Sequence, residues 1–242
     1  MDSHVPFQIF YPTAHRRKDG SVPSANTIIT AEEYMKSDYA ANPAMAAQLG
    51  VDPLWLTKQF SRYCRILEEA KKKQLFLWPY HCMIGSNGHR LAGVVEAFRL
   101  FHSFTRDVEN KIEIKGDNPL TECYSVFIPE VTTTWDGMTI PGALKNEELL
   151  EILRKADRIL VAGLASSHCV KETLEDLLWM DYNSGFFAKK TYILKDCMAP
   201  VVIPGIVDFT DEAEMALQNF QDAGMHLVNS TDPLETWPGF LG

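Results

Sequence analysis

A chain of 242 residues, 46% of them hydrophobic, is long enough to bury the core of one large α/β domain, and its formal net charge of -9 repels phosphate backbones and anionic lipid. Its most apolar runs, such as residues 74–78 and 158–162, are far too short to span a bilayer. The N-terminus also lacks a basic stretch followed by an apolar one, so we expect a cytoplasmic protein with neither nucleic acid nor membrane as partner. The five cysteines, Cys64, Cys82, Cys123, Cys169 and Cys197, form no Cys-x-x-Cys pair, which argues against a disulfide framework or a cysteine-rich zinc site.

Taken in order, the first thirty or so residues hold prolines, glycine and clustered polar residues without a sustained period and read as an extended loop. Thr30 and Glu33 have capping-box spacing, Asn42 before Pro43 starts a second short helix, and Asp52-Pro53 opens a longer one. In that longer helix Leu54, Trp55, Phe60, Tyr63, Ile66 and Leu67 form an apolar stripe, ended by lysines at 71 to 73. Residues 74–78 read as a buried strand. Leu91, Val94, Val95, Phe98, Leu100, Phe101 and Phe104 mark another helix, and residues 111–115, ending in Lys115, alternate as a strand does. Turns at Asp136-Gly137 and Pro141-Gly142 break the next stretch before Asn146 starts a helix.

Residues 158–162 then read as a buried strand and 163–167 as a turn. Cys169 opens a helix whose apolar positions are Val170, Leu174, Leu177 and Leu178. A strand at 191–194, a helix capped by Thr210 and running through Ala223, and a strand at 225–228 complete the pattern. Strands alternating with helices imply an open, mostly parallel sheet in a three-layer α/β/α arrangement, whose ligands bind beyond the carboxyl ends of the strands. Both Lys115 and Cys169 follow such predicted ends.

Four sets of residues carry chemistry. At a helix start the unpaired N–H groups and the dipole favour thiolate, which suits Cys169 to be a nucleophile; a small buried hydrophobe is the alternative. A Lys115 ammonium could hold that thiolate by charge, or simply end a strand in water. Asp2 and His4, two apart in an extended stretch, face one side, and His81 could close a mixed site with them for a divalent Zn, Fe or Mn ion; histidines so far apart also occur as plain core or surface residues. The turn 163–167 could aim N–H groups at a carbonyl oxygen or serve as an ordinary strand-to-helix turn. Trp78 is either a pocket wall for a flat ring or a core aromatic. His15, His89, His102, His168 and His226 read as core or surface residues.

Together these stretches resemble the isochorismatase-like cysteine hydrolases, and within them the nicotinamidases and nicotinamidase-related amidases. VAGLASSHCV (161–170) looks like the nucleophile motif and WPYHCMIGSNGHRL (78–91) like the metal-histidine loop. Ile-Lys-Gly at 114–116 looks like the catalytic-lysine strand end and Asp-Ser-His at 2–4 like the metal Asp-x-His; residues 196–220 share the family's look. The resemblance implies one isochorismatase-like hydrolase domain over 1–242, with an insert at approximately 16–73. It implies that Cys169 attacks an amide with release of ammonia, that Lys115 supports the thiolate, and that the backbone N–H groups of Ala165 and Cys169 face the oxyanion after a cis peptide. It also implies a divalent metal on Asp2, His4 and His81, and a pocket at Trp78 and Leu164. A small-molecule amide is the expected partner, with homo-oligomers common in the family. The family's catalytic aspartate precedes its Asp-x-His, which here begins at residue 2, so we expect the first central strand to be missing and the chain to be N-terminally incomplete. The same resemblance leaves two alternatives: a catalytically impaired binding or interface module, and a metal-independent isochorismatase-type hydrolase.

Overall fold

A computed structural model of the protein describes residues 1–181 and 184–241. Their contacts separate into two compact units, Met1–Cys123 with Glu130–Ala143, and Tyr124–Pro129 with Leu144–Gly242.

The first unit contains β1 (His15–Arg17), β2 (Ile28–Ile29), α1 (Ala31–Met35), β3 (Tyr39–Ala41), α2 (Pro43–Leu49), α3 (Pro53–Glu69), β4 (Leu75–Phe76) and α4 (Gly93–Arg106). Its helix starts are set by local chemistry. Glu33 N–H donates to Thr30 Oγ1 at 3.3 Å while Thr30 N–H donates back to Glu33 Oε2 at 2.9 Å, a complete capping box. Asn42 Oδ1 accepts from Ala44 N–H at 3.0 Å, and Asp52 Oδ1 accepts from Leu54 and Trp55 N–H at 2.8 and 3.1 Å. α3 buries Leu56, Phe60, Tyr63, Cys64 and Leu67 against Ile9, Ile29, Tyr34 and Met45. Leu54, counted in the expected stripe, is instead 62% exposed, because two residues of helix rotate it to the side opposite Leu56.

Three expectations are corrected in this unit. The opening stretch is not wholly loop, since β1 pairs antiparallel with β3 and β2 with β4. That second pairing makes the predicted strand at 74–78 a two-residue antiparallel strand, Leu75–Phe76, outside any parallel sheet. No strand forms over 111–115: Lys115 makes one parallel bridge to Asp2, and Ile112 and Ile114 stay exposed. Alternation needs a neighbouring ladder to become a strand, and these residues have none. α4 forms as expected, yet none of its residues is buried, and Phe104 reaches 80% exposure.

The second unit contains α5 (Glu147–Lys155), β5 (Ile159–Leu164), α6 (Cys169–Met180), β6 (Thr191–Ala199), β7 (Val202–Ile203), β8 (Val207–Asp208), α7 (Thr210–Asp222) and β9 (His226–Val228). β5, β6 and β9 form a parallel sheet in that order, so the α/β class read from the alternating pattern is the class observed. Leu174 of α6 and Phe220 of α7 pack with Ile193 of β6, while Tyr192, one residue earlier and so on the other face, stacks on Trp237 at 5.9 Å. β5 is half exposed rather than buried, because it lies at the sheet edge with Leu160 and Leu164 in solvent. Thr210 does not cap α7. It is the first helical residue, and its N–H donates to Asp208 Oδ1 at 2.9 Å. No helix among the described residues is long and apolar enough to cross a membrane.

His15 is fully buried beside Phe60, with ring centroids 5.2 Å apart. Its Nε2 meets the Ile9 carbonyl, which can only accept, so Nε2 carries the proton and Nδ1 accepts from the Tyr34 hydroxyl. Burial pushes the imidazolium down to about 4, against the bond to Ile9, which favours the charged form. The native state therefore binds this proton less readily than the unfolded chain. Stability from this group is complete above roughly pH 6.5 and is lost as pH falls through about 4, a change of roughly 3 kcal/mol. Urea unfolding between pH 7 and 4 is expected to show this decline, and His15→Gln is expected to flatten it.

Candidate metal centre and cysteine turn

Residues 1–4 run extended between two partners. Ser3 N–H donates to the Lys115 carbonyl at 2.9 Å and Lys115 N–H to the Met1 carbonyl at 3.1 Å. On the other side His4 N–H donates to the Cys82 carbonyl and Ile84 N–H to the His4 carbonyl, both at 3.0 Å. Even spacing then turns Asp2 and His4 the same way. The loop after β4 brings in His81, whose ring lies 4.7 Å from that of His4. One ligand atom from each of Asp2, His4 and His81 lies within 4.8 Å of the others, so the structure brings together the trio read from the sequence.

The protons of this cluster are arranged for ligation. His4 Nδ1 lies 2.7 Å from the Gly116 carbonyl and His81 Nδ1 lies 2.8 Å from the Pro79 carbonyl. Carbonyls only accept, so each ring carries a proton on Nδ1, and Nε2 is the nitrogen open to an ion. Burial pushes the His4 imidazolium below its ordinary range, against the Gly116 bond and the Asp2 charge that favour it. Burial alone would raise the Asp2 carboxyl; the Lys115 ammonium, by charge and by hydrogen bond, outweighs it and holds Asp2 below the usual carboxylate range. Asp2 Oδ1 is taken by Lys115, while Oδ2 lies 3.9 Å from His4 Nε2. Two ligands on a tetrahedral zinc ion stand about 3.4 Å apart at ordinary bond lengths. Two imidazole Nε2 atoms and a carboxylate thus fit a divalent Zn, Fe or Mn ion with small shifts.

Around the cluster, His4 meets Phe10 edge-on at 5.0 Å, and Tyr11 Oη donates to the His81 carbonyl at 3.0 Å. Trp78 is half-buried with its ring 6.2 Å from that of His81, and its Nε1–H donates to Glu122 Oε1 at 3.1 Å. Lys115 also donates to the Cys123 carbonyl at 2.9 Å. The ammonium expected to support the thiolate is engaged by the Asp2 carboxylate and the Cys123 carbonyl. Gly116, Gln8 and Glu122 were missed by sequence reasoning. Only the Lys-Gly doublet at 115–116 carried any signal.

In the second unit, β5 runs two residues beyond its predicted end. A register shift between Val161 and Gly163, with Gly163 at φ 113°, carries the chain to Leu164, which is 72% exposed. The Leu164–Ala165 peptide is cis, as the family resemblance implies. The turn that follows is pinned to the end of β6: Ser166 N–H donates to the Ala199 carbonyl and Val201 N–H to Ser167 Oγ, each at 2.9 Å. The Ala165 carbonyl accepts from His168 and Val170 N–H at 3.0 and 3.1 Å. Cys169 is the first residue of α6 and is partly exposed. His168 is buried against Tyr124 and Phe209, a core residue as read.

No family model matches the chain. Nicotinamidase of Escherichia coli (strain K12) is 30% identical over 107 residues, 43% of this chain and 41% of that protein, so the chain spans about two fifths of the curated relative it matches. Among solved structures, an Acinetobacter baumanii nicotinamidase/pyrazinamidase aligns over 96% of this chain and 75% of that one at 19% identity, with a TM-score of 0.48. The yeast nicotinamidase Pnc1p, bound to the inhibitor nicotinaldehyde, aligns over 95% of this chain and 77% of that one at 17% identity, with a TM-score of 0.51. The chain carries the nicotinamidase fold. Within that fold, the Asp2, His4 and His81 cluster is built on an extended segment and the cysteine turn on a parallel strand and helix.

Gly116 sits at φ 80°, and a Cβ there would lie 2.7 Å from His4 Cε1 and 3.1 Å from Nδ1. Gly116→Ala is expected to cost about 1–3 kcal/mol, read as a lower urea midpoint, and to weaken metal uptake by turning the His4 ring.

Proposed function

We propose that the chain is a cysteine amidohydrolase acting on a small, nicotinamide-like amide, with residues 1–242 working as one hydrolase domain. The observation that carries this reading is Cys169 as the first residue of α6, one four-residue turn after the carboxyl end of a parallel strand in the nicotinamidase fold. There the helix N-terminus favours thiolate. The 30% identity with the Escherichia coli nicotinamidase over 107 residues supports the same chemistry.

In this reading the Cys169 sulfur attacks the amide carbon, and the carbonyl oxygen gains charge that the N–H groups of Ala165 and Cys169 receive. The tetrahedral species then breaks its C–N bond. The nitrogen leaves as ammonia, carrying the proton that came from the thiol, and a thioester remains on Cys169. Water cleaves that thioester to the carboxylic acid and restores the thiol. Lys115 favours the thiolate by its charge. A Zn, Fe or Mn ion on Asp2, His4 and His81 supplies, when bound, a Lewis-acid grip on a pyridine-type ring nitrogen. Trp78, whose ring lies beside that of His81, serves as an apolar wall for the ring.

One observation favours a second reading, a catalytically impaired binding module: the Lys115 ammonium is already engaged by Asp2 and the Cys123 carbonyl. Ammonia release from nicotinamide separates the two. The wild-type chain is expected to turn over, Cys169→Ala to lose at least about a thousandfold in rate, and intact mass measurement to catch the acyl adduct on the wild-type chain alone. A wild-type chain that binds nicotinamide without releasing ammonia establishes the second reading instead.

A further inference from the structure

Gln8 is fully buried in the first unit, although its carboxamide offers one acceptor oxygen and two donor hydrogens. Such a group is retained in a core when its bonds are met. Gln8 Oε1 accepts from Val5 N–H at 3.0 Å, and Nε2 donates to the Gly116 carbonyl and, at 3.0 Å, to the Asn118 carbonyl. Every polar atom of the side chain is thus in use. The Gly116 carbonyl also takes the Nδ1 proton of His4, so both of its lone pairs are filled. The carbonyl that sets the His4 tautomer is itself held by Gln8, and Val5, the residue after His4, is held by the same carboxamide.

Gln59 offers a contrast within the same unit. It too is fully buried, but its Oε1 accepts only from Trp135 N–H at 2.8 Å, and its Nε2 has no partner. One bond to a loop is what a plain packing glutamine provides. Gln8 instead holds both the carbonyl that faces His4 Nδ1 and the backbone N–H of the residue after His4, with a third bond anchoring it to Asn118.

We infer that Gln8 is a positioning residue of the metal centre: by fixing the Gly116 carbonyl it keeps the proton of His4 on Nδ1 and turns Nε2 toward an ion shared with Asp2 and His81. The inference rests on the metal-binding reading given above. Outer partners of metal-bound histidines typically change metal affinity by about 10–100-fold when removed.

Titration of the full chain with Co2+, followed by the visible absorption of the bound ion, tests this beside thermal unfolding. Gln8→Glu keeps the shape but replaces both donor hydrogens by an oxygen facing two carbonyls, and Gln8→Met removes the donors without adding charge. Either is expected to weaken Co2+ binding by about 10–100-fold and to shift the absorption band. Gln59→Leu is expected to lower the unfolding temperature with affinity and band unchanged, a result that a merely structural role for Gln8 would share. If wild type binds one Co2+ and His81→Ala binds none, while both Gln8 variants keep the wild-type affinity and band, the role of Gln8 is overturned and the metal centre stands. If wild type binds no Co2+, or His81→Ala binds it equally well, the metal centre falls and the role of Gln8 with it.

Discussion

The clustering of Asp2, His4 and His81 depends on the backbone pairing of four residues. Residues 1–4 have no helix or regular strand of their own; Met1 and Ser3 bond through the backbone to Lys115 on one side and His4 to Cys82 and Ile84 on the other. Because the segment is extended, Asp2 and His4 share a face, and because its neighbour is residue 82, His81 arrives beside them. The protonation pattern follows from the same pairing. Backbone carbonyls from Gly116 and Pro79 take the Nδ1 protons, and Lys115, already paired through its backbone, places its ammonium on Asp2. A shift of this segment by one residue would send Asp2 and His4 to the opposite face together.

What surrounds this pairing explains where apolar surface goes uncovered. Residues 111–114 alternate like a strand but have no ladder beyond the bridge at Lys115, and α4 turns Val94, Phe98, Phe101 and Phe104 to solvent. Each large side chain left in water forgoes roughly 1.5–3 kcal/mol of burial. The first unit instead gathers its core under α1, α2 and α3, where Ile9, Tyr11, Phe60 and Tyr63 are fully enclosed. Those helices arise from the stretch that the family resemblance marks as an insert.

The sequence was most legible where the physics is local. Thr30, Asn42 and Asp52 announce helix starts because a cap involves neighbours two or three residues away, and all three caps form. Cys169 could be placed at a helix start because the apolar period of Val170, Leu174 and Leu177 begins there. The trio Asp2, His4 and His81 was legible in part from even spacing, and the family resemblance supplied the rest. Gln8 was not, since its bonds to Gly116 and Asn118 span more than a hundred residues and a lone glutamine has no period. Amphipathicity likewise predicted α4 and the side its phenylalanines occupy, but a period cannot report whether a neighbour covers that side. Leu54 failed for a simpler reason: two residues of helical rotation separate it from the stripe that α3 buries.

The position of β5 at the margin of its sheet has a colloidal consequence. One side of that strand bonds to β6, while Leu160 and Leu164 face solvent along its length, and a strand margin of this kind is a template for another chain. With a formal net charge of -9, copies of the protein repel one another at low ionic strength. Salt shortens the reach of that repulsion to about 10 Å at 0.1 M and about 3 Å at 1 M while leaving apolar attraction intact. Ionic strength therefore sets how concentrated a solution of this chain can become before its molecules associate.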